Sequence, residues 1–147
     1  MTEIANKLEQ LLNTGFFYLS KCSEADLRSK SSPEKWSKKE VLGHLIDSAI
    51  NNLQRFTEIQ FEDQPYSYRK YNQNALVDAN DYNNAETKDI IDFWMAINKR
   101  IISLIQQQTE TTLSYKIQVD ENEVIDLRFL MVDYVDHLEH HLNQIIQ

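Results

Sequence analysis

Two glycines and two prolines are all that punctuate 147 residues. A β-rich fold of this length turns back on itself many times, and its turns draw heavily on those two residue types. A chain so poor in them suits long helices with few connections, and its abundance of Leu, Ile, Glu, Gln and Lys points the same way. The apolar periodicity predicts where the helices lie. Ile4, Leu8, Leu11, Leu12, Phe16 and Leu19 recur at three- and four-residue steps, predicting a first helix over Thr2–Ser20. A polar stretch follows to Pro33. Ser37 with Glu40 three residues later reads as a capping box opening a second helix that runs to Phe61. Its apolar set is Val41, Leu42, Leu45, Ile46, Ala49, Leu53, Phe56 and Ile59.

Residues 62–86 form a long polar connection containing four tyrosines, with a short helix predicted near Gln73–Ala79. Connections this long usually carry function or structure of their own. Thr87 is the predicted N-cap of a third helix that ends near Gln108. The alternation Leu113, Tyr115, Ile117, Val119 predicts a short strand or extended arm, followed by a turn at Asp120–Glu123. The remainder, Asp126–Ile146, is the fourth helix. The expected fold is therefore all-α: a four-helix bundle with a long connection between its second and third helices and a short arm before the fourth, in a single domain over residues 1–147.

Fifteen basic against 23 acidic residues give a formal charge of −8, which disfavours nucleic acid as a partner. Cys22 is the only cysteine, so no internal disulfide forms. The N-terminus MTEIANKLEQ lacks the basic-then-apolar pattern of a signal peptide, and no run approaches the ~20 apolar residues of a membrane span. A cytoplasmic protein with no membrane partner is the expectation.

Three of the four histidines are placed to meet. His137 and His141 are one helical turn apart in DYVDHLEHHLNQI, and His44 lies in WSKKEVLGHLIDS. A helix advances by about 100° per residue, so positions on it can be compared as angles. Measured from Tyr134, His141 falls at about −20° inside the apolar stripe, His137 at about −60° at its edge and His140 at about −120°, toward solvent. Asp133, at about −100°, could accept a hydrogen bond from His137. On the second helix, measured from Leu45, His44 falls at about −100°, Arg55 at about −80°, Ser48 at about −60°, Asn52 at about −20° and Asn51 at about −120°. These residues form a polar ribbon beside the core face. Asp47 points the other way, at about 200°. Imidazole is the commonest metal-binding side chain. The same pattern also fits boundary histidines on a solvated helix edge, so spacing alone leaves both readings open.

The two histidine segments together resemble the DinB/YfiT-like superfamily. WSKKEVLGHLIDSAINNLQRF is similar to its N-proximal signature, a Trp-Ser-x-x-Glu helix start leading to His-Leu-x-Asp-Ser. DYVDHLEHHLNQI is similar to its C-terminal His-x-x-x-His pair, followed by Gln-Ile. The resemblance implies an up-down-down-up four-helix bundle, usually a homodimer. It implies a divalent metal, zinc or nickel most often, held by His44, His137 and His141. Relatives include bacillithiol-using thiol transferases, mycothiol-dependent isomerases and proteins described as metal-dependent hydrolases. It therefore implies an enzyme acting on a small-molecule substrate, with a low-molecular-weight thiol as a candidate cosubstrate. The alternative is a bundle that binds metal, or serves in a stress response, without turnover. Three histidines leave a coordination position open, and an ion there could acidify a bound water or thiol. Ser48, Arg55 and Tyr71 are then the candidate substrate contacts, with Tyr66 and Tyr68 nearby.

Overall fold

A computed structural model describes all of residues 1–147. In chain order the elements are α1 (Thr2–Leu19), α2 (Glu24–Arg28), α3 (Lys38–Glu58), β1 (Tyr66–Ser67), α4 (Gln73–Asn80), a 3₁₀ turn (Tyr82–Asn84), α5 (Thr87–Gln106), α6 (Glu110–Leu113), β2 (Lys116–Asp120), β3 (Glu123–Asp126) and α7 (Leu127–Ile146). The four long helices α1, α3, α5 and α7 form the bundle.

Pairwise contacts fix its directions. Lys7 of α1 reaches Asp136 and Glu139 of α7, and Gly15, two turns on, backs onto Leu142, so α1 and α7 run parallel. His44 of α3 meets His137 and His141, whereas Phe56 meets Tyr134, so α3 opposes α7. Trp94 of α5 lies at Gly15 beside Leu142, and Asn98 accepts a hydrogen bond from Tyr134, so α5 opposes α7 as well. The order is up-down-down-up. Because the consecutive helices α3 and α5 run the same way, the chain must return the length of the bundle between them. That return is the long connection of residues 59–86.

The capping box forms as the sequence predicts. Ser37 Oγ accepts from the Glu40 amide at 3.1 Å, and Glu40 Oε2 accepts from the Ser37 amide at 2.8 Å. Ser37 Oγ in turn donates to Asn83, which ties the 3₁₀ turn to the start of α3. Both glycines lie inside helices at points of close approach. Gly15 packs against Trp94, and Gly43 packs against the ring of Tyr82.

Several predicted boundaries shift, each for a local reason. Thr87 is not the N-cap of α5; it lies inside the first turn, where its hydroxyl donates to Glu24, and Glu86 is the capping residue. The second helix ends at Glu58, because the amides of Gln60 and Phe61 bond three residues back and tighten the last turn. The same tightening at Gln108 ends α5 at Gln106. The expected strand or arm forms as one strand of a hairpin, beginning later than the alternation suggests. Leu113 closes α6, and β2 pairs antiparallel with β3 and parallel with β1, in the order β1-β2-β3. An extended segment leaves its backbone groups unpaired unless neighbouring strands take them. The polar stretch after α1 also hides α2, capped by Ser23. No helix is long and apolar enough to cross a membrane.

Candidate metal centre

His44 lies in the second turn of α3, and His137 and His141 lie one turn apart near the end of the opposing α7. The antiparallel packing brings these segments together. His44 Nε2 and His137 Nε2 are 3.2 Å apart. The three rings stand edge to face, with centroids 5.1 Å (His44–His137), 4.6 Å (His44–His141) and 4.5 Å (His137–His141) apart. One nitrogen from each ring lies within 4.8 Å of the others, and no fourth His, Cys, Asp or Glu joins the set.

The surroundings make these rings neutral. Burial pushes His44 down to about 4, helped by His141 and His137. Burial likewise pushes His137 down to about 4, followed by the effects of His141 and His140. His141 is lowered chiefly by burial, partly offset by its bond to Gln144. At neutral pH all three carry lone pairs rather than charge, as ligation requires. At zinc–nitrogen distances of about 2.0–2.1 Å, tetrahedral ligand atoms stand about 3.4 Å apart, close to the His44–His137 separation. The triad therefore fits a divalent ion, with shifts of roughly an ångström closing the widest pair.

Two residues present in the signatures, but given no role by spacing, support the rings. Trp36, from the loop before α3, stacks on His44 with centroids 5.0 Å apart and planes tilted by 35°. It explains why His44 is fully buried although the helical wheel puts it at the core's edge. His44 Nδ1 is buried without a partner, so Nε2 is the nitrogen of that ring with company. On α7, Gln144 Oε1 lies 2.9 Å from His141 Nδ1, and its Nε2 lies 3.1 Å from His140 Nε2. The amide oxygen accepts a hydrogen bond only from Nδ1–H, and in that neutral tautomer His141 Nε2 is unprotonated. The signal for Gln144 was its position, three residues after His141 and four after His140. Asp133, the expected partner of His137, is exposed and makes no hydrogen bond to it. His140 is exposed and lies outside the triad.

The chain belongs to the DinB superfamily. Residues 8–145, nearly the whole sequence, match that family. Among solved structures, the bundle is similar to YfiT from Bacillus subtilis, described as a probable metal-dependent hydrolase with an unusual four-helix bundle topology. The TM-score is 0.87 at 22% identity, over 97% of this chain and 82% of the other. It is also similar to a mycothiol-dependent maleylpyruvate isomerase, with a TM-score of 0.73 at 13% identity over 97% of this chain. This DinB-superfamily chain spans 59% of the isomerase's length. At these identities the likeness is one of fold. No curated protein matches the sequence.

The remaining candidates on α3 separate. Arg55 stacks on Tyr68, its guanidinium carbon 3.8 Å from the ring centre, and stands 5.3 Å from that of Tyr71. All three line a cleft of about 650 Å³ between the second half of α3 and residues 66–76. Ser48 does not line it. That residue is buried, and its carbonyl and hydroxyl accept from Asn52. Asp47 faces away from the triad, as the wheel implies, and is buried against α4 and the 3₁₀ turn. There it accepts from the Tyr82 hydroxyl at 2.6 Å and from Asn80 at 3.1 Å.

Proposed function

We propose that this chain is a metal-dependent enzyme in which His44, His137 and His141 hold a divalent ion, zinc or nickel, beside a small-molecule site. The observation that carries this reading is the convergence of three neutral ring nitrogens with no fourth protein ligand. Structural zinc sites fill four positions from the protein, and catalytic ones keep one open. The similarity to a metal-dependent hydrolase-like bundle and a mycothiol-dependent isomerase supports a reaction of hydrolase or thiol-transfer type. When bound, the ion supplies Lewis acidity, making a water molecule or a low-molecular-weight thiol a nucleophile near neutral pH.

The chain's own groups have distinct parts in this reading. Gln144 holds His141 in the tautomer that exposes Nε2. Trp36 keeps solvent from His44. The half-buried His137 and His141 leave an approach from one side, and Arg55 and Tyr71 contact the substrate from the ribbon and the connection.

Elemental analysis of protein purified without a nickel column tests the metal. We expect close to one equivalent of ion per chain, lost in His44→Ala. Metal well below stoichiometric and unchanged by that substitution would end the proposal. A conjugation screen pairing bacillithiol, glutathione, coenzyme A and cysteine with a panel of electrophiles then separates thiol transfer from hydrolysis.

A further inference from the structure

The polar ribbon of α3 runs His44, Ser48, Asn51, Arg55, in steps of four, three and four residues along one side of the helix. At its far end lies the cleft that Arg55 and Asn51 line from α3, and that Tyr68, Arg69, Lys70 and Tyr71 line from the connection. Three cations converge there, in a chain whose formal charge is −8. The single carboxylate in the lining, Glu58, is engaged: Tyr66 donates to it at 2.5 Å and Gln54 at 2.6 Å. Lys70 stands 3.6 Å from Asp120. The two arginines have no acidic partner. Arg55 makes one hydrogen bond, to the Arg69 carbonyl at 3.2 Å, and stacks on aromatic rings. Of a guanidinium's five N–H donors, that leaves most without a protein acceptor. Arg69 makes no ion pair and is exposed.

A half-buried arginine packed against tyrosines and short of acceptors is preorganised for an oxyanion. The rings hold the guanidinium plane, so little rotamer freedom is lost when a planar carboxylate meets its edge. The ionised Glu58 in the same cleft disfavours a doubly charged phosphate relative to a singly charged carboxylate. We infer that this cleft binds the carboxylate of a monoanionic small molecule, with Arg55 as the specificity-determining contact and Arg69 as its support. The inference rests on the reading that Arg55 and Tyr71 contact the substrate, and it gives that substrate a class. Arg55 is eleven residues from His44, about 16 Å along the helix axis, and its side chain leans back toward the helix N-terminus. A substrate held at both places is elongated, with its carboxylate remote from the reacting end.

The test uses the full chain stripped of metal, so that it does not depend on the triad. Benzoate, its neutral counterpart benzamide, and inorganic phosphate are titrated while ¹H–¹⁵N spectra follow the amides of residues 51–76 and the Arg55 side-chain Nε–H. Benzoate should give saturable shifts confined to the cleft, with benzamide and phosphate each weaker by about tenfold or more. Arg55→Gln should lose most of the benzoate affinity. Arg55→Lys, which keeps the charge and the packing stem, should lose it nearly as far. Arg69→Gln, at an exposed position that cannot threaten the fold, should lose part of it. Absence of saturable benzoate binding by the unmodified chain overturns the inference. So does benzamide or phosphate binding as tightly as benzoate, or benzoate affinity unchanged in both Arg55→Lys and Arg69→Gln. A failed metal analysis with intact benzoate binding, or the reverse, tells the two proposals apart.

Discussion

Gly43→Ala should destabilise this protein, although the same change in an isolated helix would stabilise it. In a helix interior, alanine is better than glycine by about 0.8–1.0 kcal/mol. Here a Cβ on residue 43 would stand 2.1 Å from Tyr82 Cδ2 and 2.2 Å from its Cγ. Ordinary carbon–carbon contact is about 3.5–4.0 Å, so the ring must retreat by about 1.4 Å or more. It has little freedom to do so, because it is buried and its hydroxyl donates to the buried Asp47 at 2.6 Å. Overpacking of this kind costs about 1–3 kcal/mol. Losing the hydroxyl from Asp47, whose other oxygen is already unpartnered, costs about 1–3 kcal/mol more. Set against the helix gain, the net loss is about 3 kcal/mol, or a melting temperature lower by about 6–12 °C for a chain of this size. Thermal and urea unfolding measure it, each repeated in a Tyr82→Ala background. With the ring gone, Gly43→Ala should turn neutral or stabilising by up to about 1 kcal/mol. A Gly43→Ala protein as stable as the parent, or a loss that keeps its size without Tyr82, would show that the close approach of α3 and the 3₁₀ turn is not what keeps residue 43 a glycine.

Three further outcomes follow from the triad. Added zinc or nickel should raise the melting temperature, by the equivalent of about 2.7 kcal/mol at a hundredfold excess over the dissociation constant. His44→Ala, His137→Ala and His141→Ala should each remove most of that rise and His140→Ala little of it; a rise that survives all three triad changes would place the ion elsewhere. Gln144→Leu should weaken metal binding about 10–100-fold in a chelator competition while leaving the metal-free protein folded, because His141 loses the acceptor that fixes its tautomer; undiminished affinity would make Gln144 a bystander. In metal-free protein, His44 is neutral when folded and titrates near 4, against 6.5 when unfolded. Between those values the unfolded chain binds the extra proton, so stability is fully present above pH 6.5 and is lost as pH falls through 4. The contribution of His44 is on the order of 3 kcal/mol. Urea unfolding across that window should show the slope, and His44→Gln should reduce it, leaving the part that His137 and His141 supply; equal slopes in both proteins would contradict the burial of a neutral ring.

The triad was more legible in the sequence than the cleft, and the reason is physical. His44, His137 and His141 lie on helices, where a fixed step of about 100° carries a side chain's direction from the apolar stripe to its neighbours. Periodicity places a face but does not say what covers it. Ser48 and His44 both fall in the ribbon by angle, yet both are buried, His44 because Trp36 folds back from a loop that has no period. Gln144 and Asp133 were equally eligible by spacing, and only the packed rotamers separate the amide that bonds His141 from the carboxylate that faces solvent. The cleft depends on relations still more distant. Its outer wall is the segment around Tyr68 and Tyr71, and that segment is held where Tyr66 pairs with Ile117 and Ser67 with Gln118. A strand of two residues has no pattern to read; its existence is owed to a partner from the far side of α5. The local sequence therefore supplies the chemistry of this cleft, in Arg55, Arg69 and three tyrosines. The assembly of those groups around one volume is a property of the sheet, and changes in β2 that unpair Tyr66 should open the cleft without touching any residue that lines it.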